Sequence, residues 1–334
     1  MRSVFYSIIL SILVVQSCKS NGNDPVDSMT KVSISASEEG AAIYLNGVYT
    51  GEQTPAVLNV SNGVHTIGVG LNRSRQYLKK TVSIENTVES YEIVLGEADL
   101  QQAKKWKALF VGVNKVSKST EDCITQYTTE ELDLAFDFLN WSFQEKLEPF
   151  SYHTMDWEFE RRDISDQTVI LDEDNLINPT IFENHITDID KGDYDLVITF
   201  FRGEQEDCFI ANFIGIAWFD VTELSSESSY YTIRYYDDIK ASIEDARKND
   251  PGVFVHEWLH TVAERFYPNR GEVVPDDDGL VVHAAGKFGY TFPWMTWYED
   301  LISGQVVTPD GYAGIGPEAL LQCTVRESAL RQCP

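Results

Sequence analysis

The chain has 334 residues, 43% apolar and 24% charged, ordinary values for a packed protein, which excludes a wholly disordered chain. Lys and Arg number 26 against 53 Asp and Glu, and the net charge of −27 repels phosphate backbones and argues against a nucleic-acid partner. No run of about 18 apolar residues occurs, which excludes a polytopic membrane protein.

Residues 1–18 read as an export signal: Arg2 supplies a positive start, and Val4 to Val15 form an apolar run too short to cross a bilayer. Val15-Gln16-Ser17-Cys18 resembles a bacterial lipobox, although Gln16 is unusual at its place. The resemblance implies lipidation of Cys18 and a membrane-anchored, extracytoplasmic lipoprotein of the outer membrane or cell surface. Residues 19–30 are polar and read as a tether. The remaining cysteines, Cys123, Cys208, Cys323 and Cys333, allow three pairings. Cys323–Cys333 would close a short C-terminal loop, and Cys123–Cys208 would then follow. None has C-x-x-C spacing, so no thiolate metal site is expected.

Residues 31–95 form a string of short β segments: Val32 and Ile34 alternating with serines, then Ala42 to Leu45, Val64 to Val69, Tyr77 to Ile84 and Tyr91 to Leu95. Asn46-Gly47 suits a type I′ hairpin, because both residues tolerate positive φ, and Asn62-Gly63 repeats the signal. The expected fold is a small β-sandwich. Glu38-Glu39-Gly40-Ala41, Ile43-Tyr44-Leu45, Asn46-Gly47, Gly51, Thr54-Pro55 and Gly63-Val64-His65 resemble a PEGA domain, with Glu38 where the family motif has proline. That resemblance implies a stalk or binding module of a bacterial surface protein and no chemistry; His65 is expected to be a strand residue.

Residues 96–105 are polar and read as a linker, after which residues 106–334 carry a mixed α and β pattern. Ala108 to Val113 reads as a buried strand, and Thr128 with Glu131 as a capping box. The helix that follows would turn Leu132, Phe136, Leu139 and Phe143 to one side. Met155, Trp157 and Phe159 alternate with acids as in a half-exposed strand, while Leu196 to Phe201 is an unbroken apolar run as in a central one. Ile210 to Phe219 and Tyr230 to Tyr236 read as strands and Asp237 to Lys248 as a helix.

The segment from Asp250 to Phe266 carries the chemistry. Asp250 suits an N-cap and Pro251 a first helical turn, and Val255, Leu259, Val262 and Phe266 share a core-facing side. His256 and His260 stand one turn apart, so both imidazoles can reach one cation. Glu257 is offset by about 100° and can sit beside a metal-bound water without ligating the metal. His256-Glu257-Trp258-Leu259-His260 is thus the H-E-x-x-H pattern of zinc metalloproteases, with Glu257 as general base. A third ligand is required; His283 is the first choice, Glu272 the alternative, and Asp278 and Glu299 compete. Glu264 shares the ligand face and is expected to support a ligand or form a salt bridge. Tyr290 is the candidate oxyanion donor, set against a packing role. His153 and His185 lack ligand spacing, and Asp276-Asp277-Asp278 reads as a solvated turn.

His256 to His260, His283 followed by Phe288-Gly289-Tyr290, and Trp297-Tyr298-Glu299-Asp300-Leu301 together resemble a set of bacterial secreted zincin-like proteins. The Gly and His that follow the motif in metzincins are absent, Glu264 and Arg265 occupying that neighbourhood. The expected protein is α+β: a PEGA-like β-sandwich followed by a zincin-like mixed α/β domain. It would bind Zn²⁺ through His256, His260 and His283 and cleave a protein, peptide or glycoprotein substrate. The alternative is a non-catalytic surface-binding or adhesion lipoprotein that retains the zincin scaffold.

Overall fold

The computed structural model describes residues 29–85, 88–118, 123–210, 213–235 and 238–334. The export signal, Cys18 and nearly all of the tether lie outside the described residues, as do Tyr236 and Asp237 at the margins of two expected elements. The chain is α+β.

Buried and exposed residues alternate along Thr30–Ala36 (β1), the pattern of a strand with one face on a core. Six strands follow: Ala42–Leu45 (β2), Val48–Gln53 (β3), Ala56–Val60 (β4), Gly63–Gly70 (β5), Tyr77–Ile84 (β6) and Ser90–Leu95 (β7). They form two sheets, β4-β1-β7 and β3-β2-β5-β6. Between the sheets Val32, Ile34, Ile43, Ile67, Val69 and Leu78 are buried together. Asn46 and Gly47 take φ of 53° and 84°, the double left-handed conformation a type I′ hairpin needs; at Asn62-Gly63 only the glycine has positive φ. His65 lies in β5, its ring bonded to Asn46 and to the Ser61 carbonyl. Strands β3 and β4 were implied only by the two turn signals, and neither was named as a segment.

Residues 96–105 make defined contacts with both units. Leu100 bridges to Leu78, Gln101 donates its N–H to the Tyr77 carbonyl, and a strand has already begun at Lys104. The outer face of β3-β2-β5-β6 is buried on the rest of the chain by a cluster of tyrosines: Tyr44, Tyr49 and Tyr77 meet Tyr152, with Tyr312 and Leu321 against them. The Tyr44 hydroxyl donates to the Ser303 carbonyl (2.8 Å) and accepts from Gln305, while that of Tyr77 donates to Glu318 (3.1 Å). Arg75 pairs with Glu299 at 2.7 Å. Gly68 and Gly70 give Tyr77 and Tyr152 room, since a Cβ at either would overlap the ring. The sandwich is therefore packed against the C-terminal unit rather than held off on a flexible bridge. Tyr44→Phe strands a buried carbonyl, and we expect it to cost about 1–3 kcal/mol, read as a lower midpoint in denaturant unfolding.

The second unit is built on Lys104–Val113 (β8), Met155–Ile164 (β9), Leu196–Arg202 (β10), Gly215–Trp218 (β11) and Ser229–Tyr235 (β12). Their order is β9-β8-β10-β12-β11, with the first four parallel and β11 antiparallel on the edge. The unbroken apolar run of β10 is explained by its central place, covered on both faces. Of the expected strand from Ile210 to Phe219, only β11 forms among the described residues: Ile210 instead pairs back to Gly203. One face carries helix α1 (Thr129–Ser142), started by the Thr128–Glu131 capping box, and helices α2 (Ile239–Asn249) and α3 (Val253–Thr261). Helix α4 (Met295–Ser303) joins the same core. Disulfides link Cys123 to Cys208 and Cys323 to Cys333.

Candidate metal centre

Helix α3 starts later than its sequence suggests. Asp250 closes α2, donating its N–H to the Ala246 carbonyl, while its carboxylate accepts from the Gly252 N–H; Gly252 is the residue before the first turn. The corner leaves no space for a side chain at Gly252, where a Cβ would sit 2.8 Å from the Tyr298 ring. Along α3 burial extends beyond the expected Val255 and Leu259 to Phe254, Trp258 and Thr261, because the helix lies between the sheet and the C-terminal elements. Trp258 is in contact with the rings of Trp106, Trp157 and Phe143. Only His256 and Val253 retain partial exposure in the helix.

His256, His260 and His283 come together: one nitrogen from each lies within 4.8 Å of the others, and the Nε2 atoms of His260 and His283 are 3.2 Å apart. His283 arrives on the turn Val282–Gly286. Both Nδ1 atoms of the helical pair are occupied, that of His256 by the Tyr298 hydroxyl (2.7 Å) and that of His260 by Glu264 (3.1 Å). With Nδ1–H donating outward, each Nε2 lone pair is free to face a cation. Burial, followed by the neighbouring His260 and His283, lowers the pKa of His256 to about 3, and burial lowers that of His283. These two imidazoles are thus neutral at neutral pH, the form in which they ligate a metal.

Glu264 does more than orient His260. It is almost wholly buried, and its carboxylate also accepts the backbone N–H groups of Val281 (2.7 Å) and Val282 (3.2 Å), immediately before His283. Trp297 of α4, the residue before Tyr298, donates Nε1–H to the Val282 carbonyl. The Trp294 ring stacks on His256 and Phe219 on His260.

Glu257 lies beside the cluster, its Oε1 4.0 Å from His256 Nε2, and burial raises its pKa to about 8. It packs against edge strand β11 at Gly215, where a Cβ would overlap its carboxylate. Glycine is therefore required there for the strand to approach the helix this closely.

The other sequence candidates lie apart from the histidines. Glu272, the alternative third ligand, is outside the cluster, because Gly271 at φ 98° turns the chain and binds the Glu272 N–H to the Tyr267 carbonyl. Glu299 is paired with Arg75, and Asp278 sits exposed in a turn at φ 52°. Tyr290 donates its hydroxyl to Asp300 (2.6 Å) and packs on Trp297. His153 is 3.9 Å from Glu148, and His185 bonds to the Ile181 carbonyl. Tyr298, Trp294, Phe219 and Gly215 were not expected at the site; the only signal for Tyr298 was its place in the Trp297-to-Leu301 block.

Residues 29–97 match the PEGA domain family. The match covers the N-terminal sandwich. Among curated proteins none matches the chain in sequence. A solved structure, the metalloproteinase-II of Bacteroides fragilis, is similar to it at 12% identity and a TM-score of 0.29, over 74% of this chain and 76% of that one. A likeness that low says nothing about the chemistry of this chain, and the geometry of the three histidines has to be weighed by itself.

Proposed function

We propose that the protein is an extracytoplasmic zinc-dependent peptidase whose metal is held by His256, His260 and His283. The observation that carries this reading is the convergence of three imidazole nitrogens on one point with Glu257 beside them. The donor set fits zinc: three nitrogen ligands and outer partners that fix the tautomers of the helical pair. When bound, zinc would supply Lewis acidity for polarising a peptide carbonyl and acidifying water. Glu257 would take a proton from the attacking water and deliver it to the leaving amine. Tyr290 has no part in this scheme, because its hydroxyl is donated to Asp300.

The extracytoplasmic location fits the PEGA domain and the two disulfides, which persist in oxidising compartments. No described helix is long and apolar enough to cross a membrane. Attachment through lipid at Cys18 and a protein or glycoprotein substrate belong to the same proposal. A groove away from the histidines favours a second reading, a surface binder that keeps the scaffold without catalysis.

Metal analysis of the purified full chain separates the two. We expect about one zinc per chain, lost in His260→Ala, and casein cleavage that a chelator stops and zinc restores. A folded, zinc-supplemented protein without metal would overturn the peptidase, and bound zinc without cleavage of a broad protein panel would leave the binder.

A further inference from the structure

We propose that the groove between the PEGA domain and the C-terminal unit docks an extended polypeptide segment with apolar side chains and a lysine or arginine, whose cation seats on Glu272. This goes beyond the peptidase reading and does not depend on hydrolysis at the histidines.

The groove measures about 1170 Å³, above the range of about 300–1000 Å³ usual for small-molecule sites, which leaves room for a chain segment. One wall is the β2–β3 hairpin of the PEGA domain with Val48 and Tyr49; the other is formed by Val273, Phe288 and Val307. Val48, Val273 and Val307 are 60%, 74% and 66% exposed, and three large aliphatic side chains left in water around one groove mark a binding surface. The walls are fixed relative to each other. Tyr49 meets the Tyr312 ring edge-on at 4.6 Å across the two units, and the Gly314 N–H holds the Val273 carbonyl at 2.9 Å.

Charge decides which polypeptide fits. Glu272, Asp276 and Asp310 line the groove with one basic residue, Lys287, which Asp277 already pairs at 3.2 Å; Glu272 stands where the groove meets a smaller cleft that also holds Arg270. Glu272 is half-buried, yet its carboxylate makes no hydrogen bond or ion pair with any described residue. Burial, together with the neighbouring charge of Glu318, raises its pKa. A half-buried carboxylate with no cation of its own offers a charge-assisted partner to a cationic side chain entering the groove. Gly271 and Gly289 border the groove, and the space where their Cβ atoms would be is empty, so a ligand backbone can approach closely. An acidic or purely apolar segment would give the half-buried Glu272 carboxylate no partner.

The test is fluorescence anisotropy on the full chain with fluorescein-labelled octapeptides alternating valine with lysine or valine with glutamate, at mildly alkaline pH and about 0.15 M salt. The lysine peptide is expected to bind at least about tenfold more tightly than the glutamate peptide. Glu272→Gln should weaken it about tenfold, and Val48→Ser with Val307→Ser should weaken it by a similar factor. Glu158→Gln, at an exposed position of β9, should change nothing. Equal binding by wild type and Glu272→Gln would reduce the attraction to that of any acidic surface and overturn the proposal. Sedimentation showing a dimer that the peptide dissociates would assign the groove to a second copy of the chain and overturn it likewise. Binding that persists in His260→Ala would support the groove whatever becomes of the peptidase reading.

Discussion

Replacing Glu257 by glutamine is expected to lower hydrolysis by about 10²–10⁴-fold while the metal content stays that of the wild type. Glutamine keeps the size of the side chain and fits the same space against Gly215, but it cannot accept a proton. Burial is what prepares the carboxyl: its pKa rises to about 8 because little solvent reaches it. A bound cation, being positive, would pull in the opposite direction and favour the carboxylate. The residue thus lies near the point where gaining and losing a proton cost similar amounts, as proton transfer in both directions demands. Steady-state kinetics should show the loss in kcat with KM nearly unchanged, since glutamine removes an interaction used in the transition state rather than in binding. Equal activity in the variant would remove Glu257 from the mechanism. Zinc lost along with activity would instead give the residue a role in holding the site together.

The parts of this molecule readable from sequence are those set by local periodicity. Leu196 to Phe201 reads as a central strand and is one, and the spacing of His256 and His260 puts them one turn apart on any helix. His283 was the first choice for the third ligand, and it stands beside the helical pair. What escaped was decided by contacts between distant segments. Tyr298 reaches His256 across 42 residues, and neither residue carries a mark of the other. Gly215 reads as an ordinary strand glycine until Glu257 is packed against it. Tyr44 and Tyr77 lie in strands whose sequences suit a sandwich, but nothing local says that the outer face of their sheet is also covered. Glu272 follows the motif at a plausible distance for a ligand, and one left-handed glycine, Gly271, sends it elsewhere. Helix boundaries failed for a related reason: Asp250 is a good N-cap by type, but it was already needed to close the preceding helix.

Glu264→Ala should do more damage to the site than removal of any other residue that is not itself a ligand. Its carboxylate joins His260 to the N–H groups of Val281 and Val282, so one buried side chain fixes the tautomer of one ligand and the approach of another. Truncation leaves three donors in a nearly water-free place, and with a penalty of about 1–3 kcal/mol for each unsatisfied group the expected loss of stability is at least about 3 kcal/mol. Zinc affinity should fall at least about 10–100-fold, as when an outer partner of a metal-bound histidine is lost. Glu264→Gln separates the two contributions. Its amide can still meet one backbone N–H through oxygen, but the NH₂ group faces a second donor, so part of the stability returns while His260 loses its charged acceptor. Denaturant unfolding without metal and zinc titration against a competing chelator, run on both variants, test this directly. If Glu264→Ala binds zinc like the wild type, the carboxylate is a fold element alone, and the placement of His283 must come from Trp297 and its bond to the Val282 carbonyl.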